Sequence, residues 1–213
     1  MRAVAIADDR RLVPVERTVE PPSPGQVLLE VAYCGICGSD LHFRDVPELF
    51  PAGTIPGHEM SGRVVALGDG VERWSIGDRV SVLPFAQCGE CERCLAGEEQ
   101  VCPVAVARGV GLGTGRPGGY AEQVIVDARM LFALPEAVDD RAGAFSEPLA
   151  VGVLTYRRDE FAGAIGLLAT GRIPTERLIT ATLPLEEAEA AFAALSAPGN
   201  AHMKVLLSPA LSP

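Results

Sequence analysis

The chain has 213 residues, 48% of them hydrophobic, and a formal net charge of −10 at pH 7. That length can bury a substantial single core, and the acidic balance argues against nonspecific contact with nucleic acid or anionic lipid. No apolar run reaches the roughly eighteen residues of a membrane span, so none is expected.

In chain order, the first part reads as β structure. MRAVAIA and RLVPVE are expected to pair, PPSPGQ to turn, and QVLLEVAYCG to alternate as a strand. SDLHFRD reads as a single helical turn. GRVVALG and DRVSVL read as strands on either side of DGVERWSIGD, which is rich in turn formers. Residues 86–104 form a cysteine-rich lobe, and GGYAEQVIVDA alternates like a strand after a glycine-rich loop. Short strands with glycine turns suggest a partly closed barrel, so the expected fold is mixed α+β, mainly β. The second part is more helical. VDDRAGAFSEPLAVG reads as a helix region that Pro148 either disturbs or starts. Phe161, Ala164, Ile165 and Leu168 recur at helical spacing, with Gly171 as a C-terminal cap. Arg157-Arg158-Asp159-Glu160 reads as a solvated helix start, LEEAEAAFAAL as a second helix and KVLLS as a closing strand.

The lobe contains Cys88, Cys91, Cys94 and Cys102 with spacing C-x2-C-x2-C-x7-C. Four thiols this close can close on one tetrahedral cation, and zinc with four thiolates makes a shut, structural site. Such a site holds a loop that buries too little apolar surface to fold unaided. Two disulfides are the alternative. MRAVAIADDRR has no apolar core of an export signal, which favours reduced thiols, the metal and a cytoplasmic location. Cys34 lies in an alternating strand and reads as a buried small hydrophobe.

A second constellation joins CGICGSDLH, GHE and SEPLA. Cys37, His58 and a carboxylate, Glu59 or Glu147, make a mixed sulfur, nitrogen and oxygen set. Three protein ligands plus an open position is how a catalytic zinc is built. Each residue alone says little: a lone histidine is more often structural, and a glutamate before proline often only starts a helix. The chain has three histidines, and two of them, His42 and His58, fall inside these motifs.

Taken together, GICGSDLH, IPGHEMSGRVVALGDGVERWSIGDRV, the four-cysteine lobe, GGYAEQVIV and FSEPLAVGV resemble the zinc-dependent medium-chain alcohol dehydrogenases. EPLA is similar to the polyol, butanediol and threonine dehydrogenase branch. The resemblance covers nearly the whole chain and implies a GroES-like domain. It implies that Cys37, His58 and Glu147 bind a catalytic zinc, with Glu59 as an alternate ligand and the four cysteines on a structural zinc. It also implies that Ser39 and His42 form a proton relay, since an imidazole near neutrality can carry a proton from an acidified alcohol to solvent. A small alcohol or polyol would be the substrate and NAD(P) the cofactor.

The family's nucleotide-binding domain, with its strand, G-x-G-x-x-G turn and helix, is not found here. Gly111, Gly113 and Gly115 cluster, but no helix pattern follows them, and they read as a loop. YRRDEFAGAIGLLATGRIPTERLITATLPLEEAEAAFAAL instead resembles the family's C-terminal return segment. The expected organisation is therefore one catalytic-type domain in two segments, 1–153 and 156–213, joined near Val153–Tyr156 where the nucleotide domain would stand. Little or no hydride transfer is expected from such a chain. Two other functions stay open: hydrolysis of an activated ester by a zinc-bound water near Glu59, and a non-catalytic zinc-stabilised scaffold. Loss of a domain would also bare an apolar strip near Leu149–Leu154, exposed in a monomer or covered by self-association.

Overall fold

The computed structural model describes residues 1–113, 116–153 and 157–212. Its centre is β3 (Gln26–Gly35), in which Val27, Leu29 and Val31 point into the core while Glu30 faces solvent. That alternation is the two-residue period of a half-buried strand. One edge of β3 pairs antiparallel with β4 (Glu59–Leu67). The other edge is shared. Gln26–Glu30 pair with β6 (Gln123–Asp127), and Cys34–Gly35 pair with β9 (Lys204–Ser208). With β5 (Arg79–Val82), β7 (Leu131–Ala133) and β8 (Ile179–Pro184), the seven-stranded sheet runs β7-β5-β4-β3-β9-β8, with β6 branching from β3. Its ends do not pair among the described residues, so the sheet is mixed and the barrel is partly closed.

A hairpin of β1 (Arg2–Ile6) and β2 (Leu12–Glu16) docks on this sheet through an Ala3–Ala121 bridge and a 2.8 Å bond from Val4 N–H to the Tyr120 carbonyl. The main core lies between the hairpin, β3, β4, β6 and α7 (Ala188–Ser196) and includes Ile6, Leu29, Met60, Tyr120 and Phe192. Parallel β8 and β9 flank α7 in sequence. Strand β9 thus brings the end of the chain against β3 just before Cys37.

The expected β1–β2 pair, β3, β4, β5, β6 and β9 are all present. β7 and β8 went unread. β7 is three residues long, and β8 (ITATLP) has mostly half-buried positions with no alternation. The helix region divides into α3 (Asp140–Ala144), capped by Asp139, which accepts from the Ala142 N–H at 2.7 Å, and α4 (Ser146–Val153). Pro148 falls in the first turn of α4, where its missing N–H costs no helical bond. α5 (Arg158–Ala169) buries Phe161, Ala164, Ile165 and Leu168 in a second cluster with Leu83, Leu134 and Ala150, and Gly171 follows at φ +67. The charged start of α5 is less solvated than its sequence suggests: Arg158 lies 4.7 Å over the Phe132 ring and donates to the Arg129 carbonyl. Of the strip at Leu149–Leu154, Leu149 packs on the second cluster, Ala150 is buried and Val151 is exposed. Residues 154–156, and with them the expected junction, lie outside the described residues, as does Gly115.

Candidate metal centres

The four-cysteine lobe folds around short turns. Gly89 and Gly97 have φ of +78 and +77, and Cys91 sits at the N-cap of α2 (Glu92–Leu95). The sulfur atoms converge: Cys88–Cys94 at 3.9 Å, Cys91–Cys102 at 4.0 Å and Cys88–Cys102 at 3.7 Å. A zinc tetrahedron with Zn–S of about 2.3 Å has edges of about 3.8 Å, so the spacing fits zinc. It is far from the roughly 2.05 Å of a disulfide, and all six cysteines are free thiols. Backbone N–H groups point at the sulfurs, Cys91 to Cys88 at 3.3 Å and Cys88 to Cys102 at 3.4 Å. Such donors favour thiolate over thiol. The N–H groups of Glu90 and Cys91 draw the Cys88 thiol down to about 6, whereas burial pushes Cys94 up to about 12.

The mixed constellation assembles where β3 ends. The donor atoms of Cys37, His58 and Glu59 lie within 4.8 Å of one another. Cys37 caps α1 (Gly38–Phe43), and Asp40 closes that turn by accepting from the Cys37 N–H at 3.0 Å. His58 follows Gly57 directly and stands just before β4, which Glu59 opens. Gly57 has φ +98, and a Cβ there would lie 2.5 Å from the Tyr120 ring, so no other residue fits this approach to His58. Gly35 is under a similar constraint, because its Cβ would meet Glu59 Oε2 at 2.1 Å. The Glu59 carboxylate thus lies directly over the β3 backbone.

The environment is buried and rich in carboxylates. His58 is 2% exposed, Asp40 2%, Glu59 1% and Glu147 1%. Asp40 Oδ1 faces His58 Nδ1 at 3.5 Å, which leaves Nε2 as the ring nitrogen for a metal. Burial alone would lower the His58 pKa. The charge and contact of Asp40, the Cys37 thiol and the charge of Glu147 outweigh it and raise the pKa well above 6.5. The same anions that favour a proton on His58 would favour a divalent cation beside it. The donor set of thiolate, imidazole and carboxylate fits zinc. Lys204, the first residue of β9 and the one lysine in the chain, takes both Glu59 oxygens at 2.7 Å and the Ile36 carbonyl at 2.9 Å.

Glu147 stands in the first turn of α4. It lies outside the three-residue cluster, although its charge reaches His58. Ser39 is half-buried on α1 and His42 is exposed one turn on. Neither side chain takes part in a hydrogen bond among the described residues. The described residues of the glycine-rich stretch form no helix, in keeping with the loop reading. Its Gly111 and Gly118 pack on the Gly57 carbonyl, where added Cβ atoms would come within 2.0 and 2.3 Å. These glycines therefore shape the turn that presents His58. Cys34 is fully buried, and burial pushes its thiol pKa up, as suits an apolar filler.

The alcohol dehydrogenase GroES-like domain family matches residues 23–136, more than half of the chain. The protein belongs to the zinc-dependent medium-chain alcohol dehydrogenase family. It is 36% identical over 152 residues to the starvation-sensing protein RspB of Escherichia coli K12, covering 71% of this chain and 44% of that protein. It is 41% identical over 132 residues to a sorbitol dehydrogenase of Halalkalibacterium halodurans, covering 61% and 37%. The chain thus spans less than half the length of these curated relatives. Its fold matches the RspB alcohol dehydrogenase of Escherichia coli CFT073, complexed with NADH, at TM-score 0.87 and 20% identity, over 98% of this chain and 99% of that one. It matches the 2R,3R-butanediol dehydrogenase of Bacillus subtilis at TM-score 0.83 and 19% identity, with coverages of 98% and 99%. As a member of this family the chain carries an alcohol dehydrogenase GroES-like domain. No helix among the described residues is long and apolar enough to cross a membrane.

Three residues of the mixed site escaped the motif reading: Asp40, Tyr120 and Lys204. Asp40 had a signal, since a histidine ligand usually gives its second nitrogen to a carboxylate and Asp40 lies three residues after Cys37. Lys204 had a weaker one, a single lysine among seventeen arginines. Tyr120 had none beyond its place in GGYAE.

Proposed function

We propose that this protein is the zinc-binding catalytic domain of an oxidoreductase whose parent reaction is NAD(P)-linked oxidation of a secondary alcohol or polyol. The convergence of Cys37, His58 and Glu59 within 4.8 Å, with Glu147 buried nearby, carries this reading. These residues would hold the catalytic zinc, Glu147 and Glu59 being alternate carboxylates, and the four cysteines would hold a structural one. A bound zinc lowers the pKa of an alcohol hydroxyl. The chain's own residues would then serve proton movement: Ser39 would accept the hydroxyl proton while giving its own proton onward, and His42, exposed on α1, would take that proton and release it to solvent. Asp40 keeps His58 oriented, and Lys204 offsets the charge of Glu59.

Hydride transfer also needs a nicotinamide held against the carbinol carbon. The sequence offers no G-x-G-x-x-G turn in a βαβ unit for it. We infer that the chain joins segments 1–153 and 156–213 of a catalytic domain and turns over little or no alcohol by itself. The pairing of β9 with β3, which sets the second segment on the first, supports that organisation. The free thiols suit a reducing compartment such as the cytoplasm.

Zinc analysis combined with NAD(P) calorimetry tests this reading. We expect two zinc ions per chain and no micromolar binding of NAD or NADP. A single zinc, lost with the four cysteines, would leave a scaffold in place of an enzyme domain. Micromolar NAD(P) affinity would overturn the inference about turnover.

A further inference from the structure

We propose that Tyr120 is a positioning residue of the mixed site: its hydroxyl locks Asp40 in the orientation that serves Cys37 and His58 together. The inference rests on the reading that these two residues hold a metal.

Asp40 links both ligands. Its Oδ2 accepts from the Cys37 backbone N–H at 3.0 Å, and its Oδ1 faces His58 Nδ1 at 3.5 Å. Oδ1 and Nδ1 are both buried, and neither has a hydrogen-bond partner, so the face-to-face approach is what each has in place of one. A carboxylate turns about one soft, broad torsion, so whatever fixes Oδ2 also aims Oδ1. The Cys37 N–H belongs to the same helical turn as Asp40 and holds Oδ2 from one side. The Tyr120 hydroxyl, from a loop far along the chain, donates to Oδ2 at 2.8 Å. Its other neighbour, the Gly35 carbonyl, is at 3.4 Å, so Asp40 is the partner that matters. A hydroxyl bonded to a buried carboxylate is among the stronger hydrogen bonds.

Tyr120 can act as a fixed post because everything around it is anchored. It is fully buried, and its ring meets Phe192 edge-on at 6.2 Å. Its N–H bonds the Pro56 carbonyl at 3.1 Å, and the neighbouring Gly119 N–H bonds the Gly57 carbonyl at 2.8 Å. The loop that carries Tyr120 is therefore bonded to the turn that delivers His58. One side chain ties the backbone before His58 to the carboxylate facing its ring. Packing alone does not require the phenolic oxygen, because phenylalanine fills the same ring volume.

The test uses protein with zinc in the four-cysteine lobe and cobalt(II) in the mixed site, comparing wild type with Tyr120→Phe. We expect shifted cobalt ligand-field bands and metal affinity at the mixed site reduced about tenfold, as for other residues that support a metal ligand. The four-cysteine zinc should be unchanged. In metal-free protein the ring nitrogen resonances of His58, one of three histidines, should move as well. Unchanged bands, affinity and His58 resonances in a folded Tyr120→Phe protein would overturn the proposal. If wild type takes up no cobalt at the mixed site, the metal reading of the preceding section fails, and the His58 resonances still decide the role of Tyr120. If Tyr120→Phe does not fold, 3-fluorotyrosine at the three tyrosines makes the hydroxyl a stronger donor. It should then move the His58 resonances in metal-free protein, and their constancy would refute the role.

Discussion

Removing zinc from the four-cysteine lobe should melt residues 86–104 and leave the seven-stranded sheet folded. Ordering about nineteen residues costs roughly 28 kcal/mol at about 1.5 kcal/mol each. The lobe offsets little of this by itself. Its cluster buries Cys94, Cys102 and Ala105 and half-buries Phe85 and Val104, worth about 5–8 kcal/mol together. About eight backbone hydrogen bonds, from the Ala86–Ala105 pair at its base to the Cys102 turn, contribute about 8 kcal/mol. Leu95, Val101 and Val106 are exposed and contribute little. The shortfall is about 12–15 kcal/mol, within the roughly 10–16 kcal/mol that a structural zinc supplies. Hydrogen exchange by mass spectrometry, before and after chelation, reads the outcome directly. Peptides from the lobe should lose protection completely, while those from β3 and β4 keep theirs. A lobe that stays protected after zinc is removed would show that its apolar contacts suffice and refute the reasoning.

Two further outcomes are expected. Lys204→Met should destabilise the protein by about 3–5 kcal/mol, because it leaves Glu59 as an unpaired buried carboxylate. Lys204→Met with Glu59→Gln should recover most of that loss in urea unfolding, and a single variant within about 1 kcal/mol of wild type would contradict the pairing. The pH dependence concerns metal-free protein. The folded pKa of His58 is raised above 6.5, so its contribution to stability is complete below pH 6.5 and is lost as pH rises through the folded value. Wild type should therefore lose stability relative to His58→Gln on going from acid to alkaline pH. Urea titrations in which wild type gains on the variant over that interval would contradict the charge balance around His58.

The sequence was most informative where chemistry imposes spacing. Four cysteines in C-x2-C-x2-C-x7-C place four sulfurs at tetrahedral distances with little help from the rest of the chain. Alternation in QVLLEVAYCG located β3 because that strand has one face in the core, and the short apolar run KVLLS located β9, whose last four residues are all buried. The mixed site was legible only as a set of candidate ligands. Cys37 and His58 meet across the β3–β4 pair, and that register is set by tertiary packing. The resemblance favoured Glu147 with Glu59 as the alternate, and the pairing of Glu59 with Lys204 was not legible because it depends on where β9 arrives. Tyr120 was hidden for a similar reason: its hydroxyl matters through Asp40, and motif spacing says nothing about a contact between a loop and a helical turn. Arg158 was misread as solvated because a guanidinium on a helix start looks the same in sequence whether it faces water or the Phe132 ring.

The electrostatics of the mixed site draw on both ends of the chain. Asp40 and Glu59, both before residue 60, place two carboxylates in a buried volume beside Cys37 and His58. The compensating ammonium comes from β9, whose Val205 carbonyl accepts from the Ile36 N–H at 3.0 Å and whose Leu206 and Leu207 pair with Gly35 and Cys34. This strand completes the edge of β3 that β6 leaves open. Packing and charge balance are thus provided by one five-residue strand. A return segment that only filled the core would have satisfied β3 with any apolar strand. Placing the chain's single lysine at its first position, with all three donors used, ties β9 to Glu59, a candidate metal ligand at the start of β4. The charge balance of the candidate site is therefore incomplete without β9, although every sulfur and imidazole donor in it lies before residue 60.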